Sequence, residues 1–85
     1  NADTQYNLGS MYYEGLGVRH DYSKTVEWYT KAAKQGHAKA QFNLGLMYAK
    51  GEGVRQNYIV AKEYFGKACD GGLQKGCDGY RLLNE

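Results

Sequence analysis

The sequence of 85 residues predicts an all-α helical solenoid made of two helix-turn-helix repeats and a C-terminal capping helix. The main observation is an internal repeat, because sixteen residues recur unchanged 36 positions further along the chain. A fixed period of this size is typical of stacked structural repeats. We expect one repeat domain over residues 1–85, with repeat one at 1–36, repeat two at 37–72, and a partial repeat or C-terminal cap at 73–85. The recurring residues of repeat one are Ala2, Gln5, Asn7, Leu8, Gly9, Met11, Tyr12, Gly15, Gly17, Val18, Arg19, Tyr22, Glu27, Lys31, Ala32 and Gly36.

The first helix of each repeat, helix A, is predicted in repeat one from about Ala2 to Glu14. Apolar and small residues recur there with the spacing of one face of an α-helix. Gly15 and Gly17 should end this helix, because glycine readily adopts the left-handed conformation of helix ends and tight turns. The residues predicted to lie on the inner side are Ala2, Gln5, Leu8, Gly9 and Tyr12.

The second helix of each repeat, helix B, is predicted to begin after Asp21 in repeat one and after Asn57 in repeat two. Both are short polar residues that favour the N-cap position. The two helices should end near Gln35 and Asp70. Large rings facing small residues at equivalent positions suit close helix packing. The expected inner face comprises Tyr22, Thr25, Trp28, Tyr29 and Ala32 in repeat one, and Tyr58, Ala61, Tyr64, Phe65 and Ala68 in repeat two.

The order of these residues resembles the Sel-one-like repeat, a relative of the tetratricopeptide repeat with a longer turn. The resemblance covers nearly the whole chain and departs from the family pattern at Asn57, where Asp is usual, and at Thr25, where Ala is usual. It implies a right-handed α/α superhelix whose helices A line a concave groove, and a role as adaptor, scaffold or host-interaction protein. In repeat one it is carried by Leu8, Gly9, Tyr12, Gly15, Gly17, Val18, Asp21, Trp28, Ala32, Ala33 and Gly36.

The two cysteines, Cys69 and Cys77, are predicted near the end of the second helix B and early in the capping helix. A disulfide is sterically plausible there. The spacing also resembles that of the cysteine-rich bacterial branch of the family, whose members are secreted or periplasmic. We therefore favour an oxidising compartment, with two free thiols in a cytoplasmic protein as the alternative. A zinc site is not expected, because His20 and His37 are isolated and do not complete four ligands.

Residues that would carry catalysis are not grouped in this sequence. Ser10 and Ser23 lack a lysine three positions later, and the glycine turns lack the further residues of nucleotide-binding motifs. No catalytic residue, metal or cofactor is predicted. The net charge of +2 comes from scattered residues, which argues against nucleic-acid binding. No apolar run reaches the roughly 20 residues of a membrane-spanning helix.

The side of helix A opposite Leu8 and Tyr12 is the predicted concave binding surface. Asn7 and Asn43 recur on it, and their amides can pair with the backbone of an extended peptide, although they can equally well be solvated. Aromatic residues beside them would supply the contacts that interfaces favour. The candidate groove residues are Asp3, Tyr6, Asn7, Ser10, Glu14, Lys39, Phe42, Asn43, Leu46 and Lys50.

These observations lead to the hypothesis of a non-enzymatic protein–protein interaction module that binds a peptide or protein segment in this groove. One alternative is a cell-wall or β-lactam-related enzyme of the cysteine-rich branch. Another is a self-associating fragment of a longer repeat array, because the N-terminal face of the first helix has no evident cap. The sequence does not identify the partner.

Overall fold

A computed structural model describes residues 1–85 as five α-helices without strands. Each helix packs on the next along the chain, so the helices stack into an elongated body of 38 × 25 × 16 Å. The predicted all-α solenoid is thereby confirmed. None of the helices combines the length and the apolar character needed to cross a bilayer. The helices are α1 Ala2–Glu14, α2 Tyr22–Lys34, α3 Ala38–Lys50, α4 Tyr58–Asp70 and α5 Gln74–Leu83.

The helix ends follow local signals in the sequence. Gly15 and Gly51 adopt left-handed φ values of 70° and 74° at the ends of α1 and α3. The side chains of Asp21 and Asn57 each accept a hydrogen bond from the backbone N–H three residues later, at 3.1 Å, and so cap α2 and α4 as predicted. These bonds satisfy backbone groups that would otherwise lack partners at the first turn.

The core is formed where helices A and B meet. The second helix B buries Ala61, Phe65 and Ala68, which agrees with the predicted inner face. Glycines allow the rings to approach: a Cβ atom on Gly45 would lie 2.6 Å from the Phe65 ring. The main hydrophobic cluster consists of Tyr29, Ala32, Ala33, Ala40, Leu44 and Met47.

The two repeats contact each other through backbone as well as side chains. Gln41 Nε2 donates a hydrogen bond of 3.1 Å to the carbonyl oxygen of Ala33. Gly53, in the turn of repeat two, packs so closely on α2 that a Cβ atom there would lie 2.6 Å from the Tyr22 carbonyl oxygen. No corresponding turn covers Tyr58, which is 58% exposed and does not join the inner face that we predicted for it.

Candidate functional site

Two neighbouring cavities lie along the face formed by the helices A and the capping helix. The first, here called the acidic pocket, has a volume of about 300 Å³ and lies between α1 and α3. The second, here called the apolar pocket, has a volume of about 370 Å³ and lies between α3 and α5. The acidic pocket is lined by Tyr6, Ser10, Tyr13, Glu14, Tyr29, Asn43, Leu46, Met47 and Glu52. The apolar pocket is lined by Phe42, Leu46, Ala49, Phe65, Lys75, Asp78, Gly79, Leu82 and Leu83.

Hydroxyl groups form the floor of the acidic pocket. The Tyr29 hydroxyl and Ser10 Oγ share a hydrogen bond of 2.9 Å, and Asn43 Nδ2 donates to the Tyr6 hydroxyl at 3.2 Å. The Tyr6 ring stacks on the Tyr29 ring with 5.3 Å between centroids. Side chains from three helices are thereby held in place, so the pocket is preorganised.

Two carboxylates, Glu14 and Glu52, line the acidic pocket, and no cationic side chain lines it. Glu52 accepts a hydrogen bond of 3.3 Å from the Tyr13 hydroxyl. Neither carboxylate takes part in a salt bridge. The pocket therefore presents negative charge that the protein itself does not neutralise.

Tyr13 and Tyr29 in the acidic pocket keep their phenol protons well above neutral pH. Burial raises the pKa of Tyr29 above its ordinary value of 10.0. Burial, followed by the nearby Glu52 carboxylate, raises the pKa of Tyr13. Because both groups keep their protons, they act here as neutral hydrogen-bonding groups and as aromatic walls.

The apolar pocket is built around two phenylalanine rings. Phe42 and Phe65 pack with their ring centroids 5.4 Å apart. Leu82 is 69% exposed at its edge and Leu83 is half-buried. Of the two charged side chains at the rim, Asp78 is paired with Arg81 at 2.6 Å, while Lys75 has no salt-bridge partner.

Several of the predicted groove residues come together in these cavities. Tyr6, Ser10, Glu14 and Asn43 line the acidic pocket, and Leu46 lines both pockets. Phe42 lines the apolar pocket.

Other predicted groove residues lie outside the cavities. Asp3 Oδ1 lies 3.1 Å from His37 Nε2, at the edge of the face. Asn7, Lys39 and Lys50 are exposed. Asn7 and Asn43 therefore have unlike surroundings, because the Asn43 side chain is hydrogen-bonded to Tyr6 whereas the exposed Asn7 side chain makes no hydrogen bond within the protein.

Sequence reasoning did not identify Tyr29, Met47 or Glu52 as groove residues. Tyr29 and Met47 were missed because apolar helical spacing marks core positions, and both side chains are buried at the base of the cavity. Glu52 lies in the turn after α3, and repeat packing brings it to Tyr13, 39 residues earlier. A position-by-position comparison of the repeats could have identified Tyr29, because its counterpart Phe65 lacks the hydroxyl group that Tyr29 contributes to the pocket.

A disulfide joins Cys69 and Cys77 in the structure, with their Cα atoms 4.6 Å apart. It connects the last turn of α4 to the first half of α5. No cluster of three or more His, Cys, Asp or Glu side chains has an arrangement that could hold a metal ion.

The fold defines an α/α repeat protein with two cavities along the face of its helices A and capping helix. A sequence model of the Sel1 repeat matches residues 2–37 and 38–73, and the chain belongs to this family. Proteins built from this repeat are generally protein–protein interaction modules.

Solved structures and a curated relative show similar repeats. The Sel1 repeat protein from Oxalobacter formigenes is 41% identical, with a TM-score of 0.95 over 98% of this chain and 34% of that chain. Helicobacter pylori cysteine rich protein B is 30% identical, with a TM-score of 0.88 over 91% of this chain and 58% of that chain. The ERAD-associated E3 ubiquitin-protein ligase component HRD3A from Arabidopsis thaliana is 48% identical over 41 residues, which are 47% of this chain and 6% of HRD3A. The chain thus spans a minor part of this curated relative.

Proposed function

We propose that this chain is a non-enzymatic adaptor module that holds an extended segment of another protein across α1, α3 and α5. The observation that carries the proposal is the pair of cavities side by side on this face, one of them preorganised by hydrogen bonds. Cavities of about 300 Å³ and 370 Å³ are at the lower end of the range for small-molecule sites, and they suit individual side chains of a bound segment.

The chemistry around Ser10 supports binding over catalysis. A serine nucleophile needs a neighbouring base that removes its proton. The neighbour of Ser10 is the Tyr29 hydroxyl, whose pKa is raised by burial, so the phenol keeps its own proton at neutral pH. This arrangement favours the adaptor over the cell-wall or β-lactam-related enzyme.

We also propose that the protein works in the periplasm or outside the cell. The Cys69–Cys77 bridge persists in oxidising compartments, whereas cytoplasmic thiol systems reduce such bonds. The likeness to a cysteine rich protein from Helicobacter pylori points the same way. Alkylation of the protein in freshly lysed cells, followed by mass spectrometry, tests this: two labelled cysteines would contradict it.

Self-association is a second candidate function, and one observation favours it. Leu8 and Met11 are half-buried, whereas their counterparts Leu44 and Met47 in repeat two are buried against repeat one. The corresponding face of repeat one can therefore bury further apolar surface against another copy. Sedimentation at two concentrations tests this, and a strictly monomeric protein would exclude it.

Peptide binding in the proposed groove, which the two pockets form together, is tested by selecting peptides from a random dodecapeptide phage library on the immobilised domain. The Leu46→Glu variant alters the wall that both pockets share, and Ile59→Glu is the matched control on α4, where Ile59 is 76% exposed. We expect Leu46→Glu to abolish binding of the selected peptides, and Ile59→Glu to retain it, with both variants equally helical. Amide shift changes on binding should fall on α1, α3 and α5. Equal binding by both variants, or shifts confined to α2 and α4, would exclude the groove.

A further inference from the structure

The two pockets are formed by equivalent positions of successive repeats, but one has a polar lining and the other an apolar lining. Seven residues that line the acidic pocket have counterparts 36 positions later that line the apolar pocket. At five of these positions a residue with a hydroxyl or amide group gives way to one without any polar side-chain atom. Tyr6, Ser10, Tyr13, Tyr29 and Asn43 have the counterparts Phe42, Leu46, Ala49, Phe65 and Gly79.

Charge separates the pockets further. Glu14 and Glu52 give the acidic pocket two carboxylates outside any salt bridge. In the apolar pocket, the single acidic residue Asp78 is neutralised by Arg81, and Lys75 stands at the rim. A cationic group is therefore favoured in the first pocket and is disfavoured in the second.

From this pairing we infer that the bound segment carries a lysine or arginine side chain for the acidic pocket and a large apolar side chain for the apolar pocket. This inference rests on the groove proposed above and names the chemistry of its occupant. The ammonium or guanidinium group meets the Glu14 and Glu52 carboxylates, and its aliphatic stem packs beside the tyrosine rings that line the same cavity. The apolar side chain packs beside Phe42 and Phe65.

The distance between the pockets sets the spacing of the two side chains. One pocket lies between α1 and α3 and the other between α3 and α5, so they are separated by about one helix diameter, roughly 10 Å. A polyproline-type segment rises about 3.1 Å per residue and returns to the same face every third residue. The basic and apolar residues should therefore be about three positions apart.

Labelled dodecapeptides of Gly, Ser and Ala test the inference by fluorescence anisotropy. One peptide carries Lys with Leu three positions later, and a second carries the two in the reverse order. For each order, two further peptides replace Lys by Glu or Leu by Ser. Peptides selected from the random library that bind the unaltered domain and not the Leu46→Glu variant serve as the positive control.

We expect one of the two Lys/Leu peptides to bind at least about fivefold more tightly than its Glu or Ser version. The double variant Glu14→Gln and Glu52→Gln should weaken this binding by about fivefold or more, because glutamine keeps the size and removes the charge. The control with the same change in net charge is Glu27→Gln and Glu63→Gln, on α2 and α4, and it should bind normally.

The failures of the two proposals are distinguishable. If random-library peptides bind the groove but show no preference for a basic and an apolar residue, the pocket assignment is wrong while the adaptor proposal stands. Equal weakening by both glutamine double variants would also overturn the assignment, because it would show only a net-charge effect. If the library peptides bind independently of Leu46, both proposals fail.

Discussion

Glycine decides how closely the helices of one repeat approach each other. Gly9 faces the Tyr29 ring and Gly45 faces the Phe65 ring, and a Cβ atom at either position would lie within 2.6 Å of a ring carbon. These rings also border the two pockets. The same two contacts therefore support both the core and the base of the groove.

Gly45→Ala should lower the free energy of unfolding by about 1 to 3 kcal/mol, because the added methyl group overpacks against Phe65. Gly66→Ala is the matched control. Its Cβ atom would meet only the partly exposed Tyr80 ring at 3.2 Å, and alanine favours the helix. Urea denaturation of both variants measures the difference, and equal stability of Gly45→Ala and the unaltered protein would contradict the packing described.

The buried phenols make stability depend on alkaline pH. Burial raises the pKa of Tyr29 above 10.0, while the unfolded chain releases that proton near its ordinary value. Above about pH 10 the unfolded state therefore holds fewer protons than the folded state, and the free energy of unfolding falls as pH rises. Below that pH the contribution is complete. Tyr13 and Tyr64, whose pKa values are also raised, add to the same trend.

Urea denaturation from about pH 8 to about pH 11 should show a steeper loss of stability for the unaltered protein than for Tyr29→Phe. Phenylalanine is the natural residue at the equivalent position, Phe65, so the substitution suits the fold. Parallel pH profiles for the two proteins would show that Tyr29 does not titrate differently in the folded state.

At the scale of single helices, the N-caps of α2 and α4 are each formed by one hydrogen bond between residues three positions apart. Asn57 begins α4 by accepting the backbone N–H of Val60. Asn57→Ala should reduce the free energy of unfolding by about 1 kcal/mol, because that N–H loses its partner. Asn57→Asp keeps the acceptor oxygen and should be nearly neutral. Thermal unfolding followed by circular dichroism compares them, and equal losses for both variants would exclude capping as the cause.

The capping helix α5 depends on its disulfide. The Cys69–Cys77 bridge closes a loop with a sequence separation of 8, and losing it should cost about 2 to 3 kcal/mol in the chain-entropy model. We expect the double variant Cys69→Ser and Cys77→Ser to lose amide exchange protection first in α5. Dithiothreitol should produce the same loss in the unaltered protein and no change in the variant. Unchanged protection of α5 on reduction would contradict this.

Considered as a whole, the molecule is a short stack in which each helix contacts its neighbours along the chain. Its largest fully buried side chain is Leu44 in α3, at the centre of the stack. So small a domain has little stability in reserve.

Leu44→Ala should cost about 2 to 5 kcal/mol and unfold both repeats together, since α3 contacts both helices B. Leu16→Ala, at a residue that is 58% exposed, is the control and should have little effect. Amide hydrogen exchange distinguishes a joint loss of protection from selective opening of α1 and α2. Retained protection in α4 and α5 would show that the repeats unfold separately.

The fold was predictable to the extent that its signals are local. Gly15 ends its helix and Asp21 begins the next through bonds within three or four residues, so their positions alone indicated the helix ends. Part of the pocket lining was predictable from helical spacing, as Ser10 and Leu46 show. The remainder did not, because contacts such as Tyr13 with Glu52 arise only when one repeat stacks on the next.

Gly53 lines neither pocket, but it helps to set how the two repeats pack on each other. The turn of repeat two rests directly on the backbone of α2 at Tyr22, with no room for a side chain between them. Any larger residue must push the turn of repeat two away from the start of α2, and such a shift changes how repeat two packs on repeat one. One consequence concerns ligand length: a repeat pair with the same pocket residues but a bulkier residue at this turn would hold its two pockets at a different distance and so favour a different spacing of side chains in the segment that it binds.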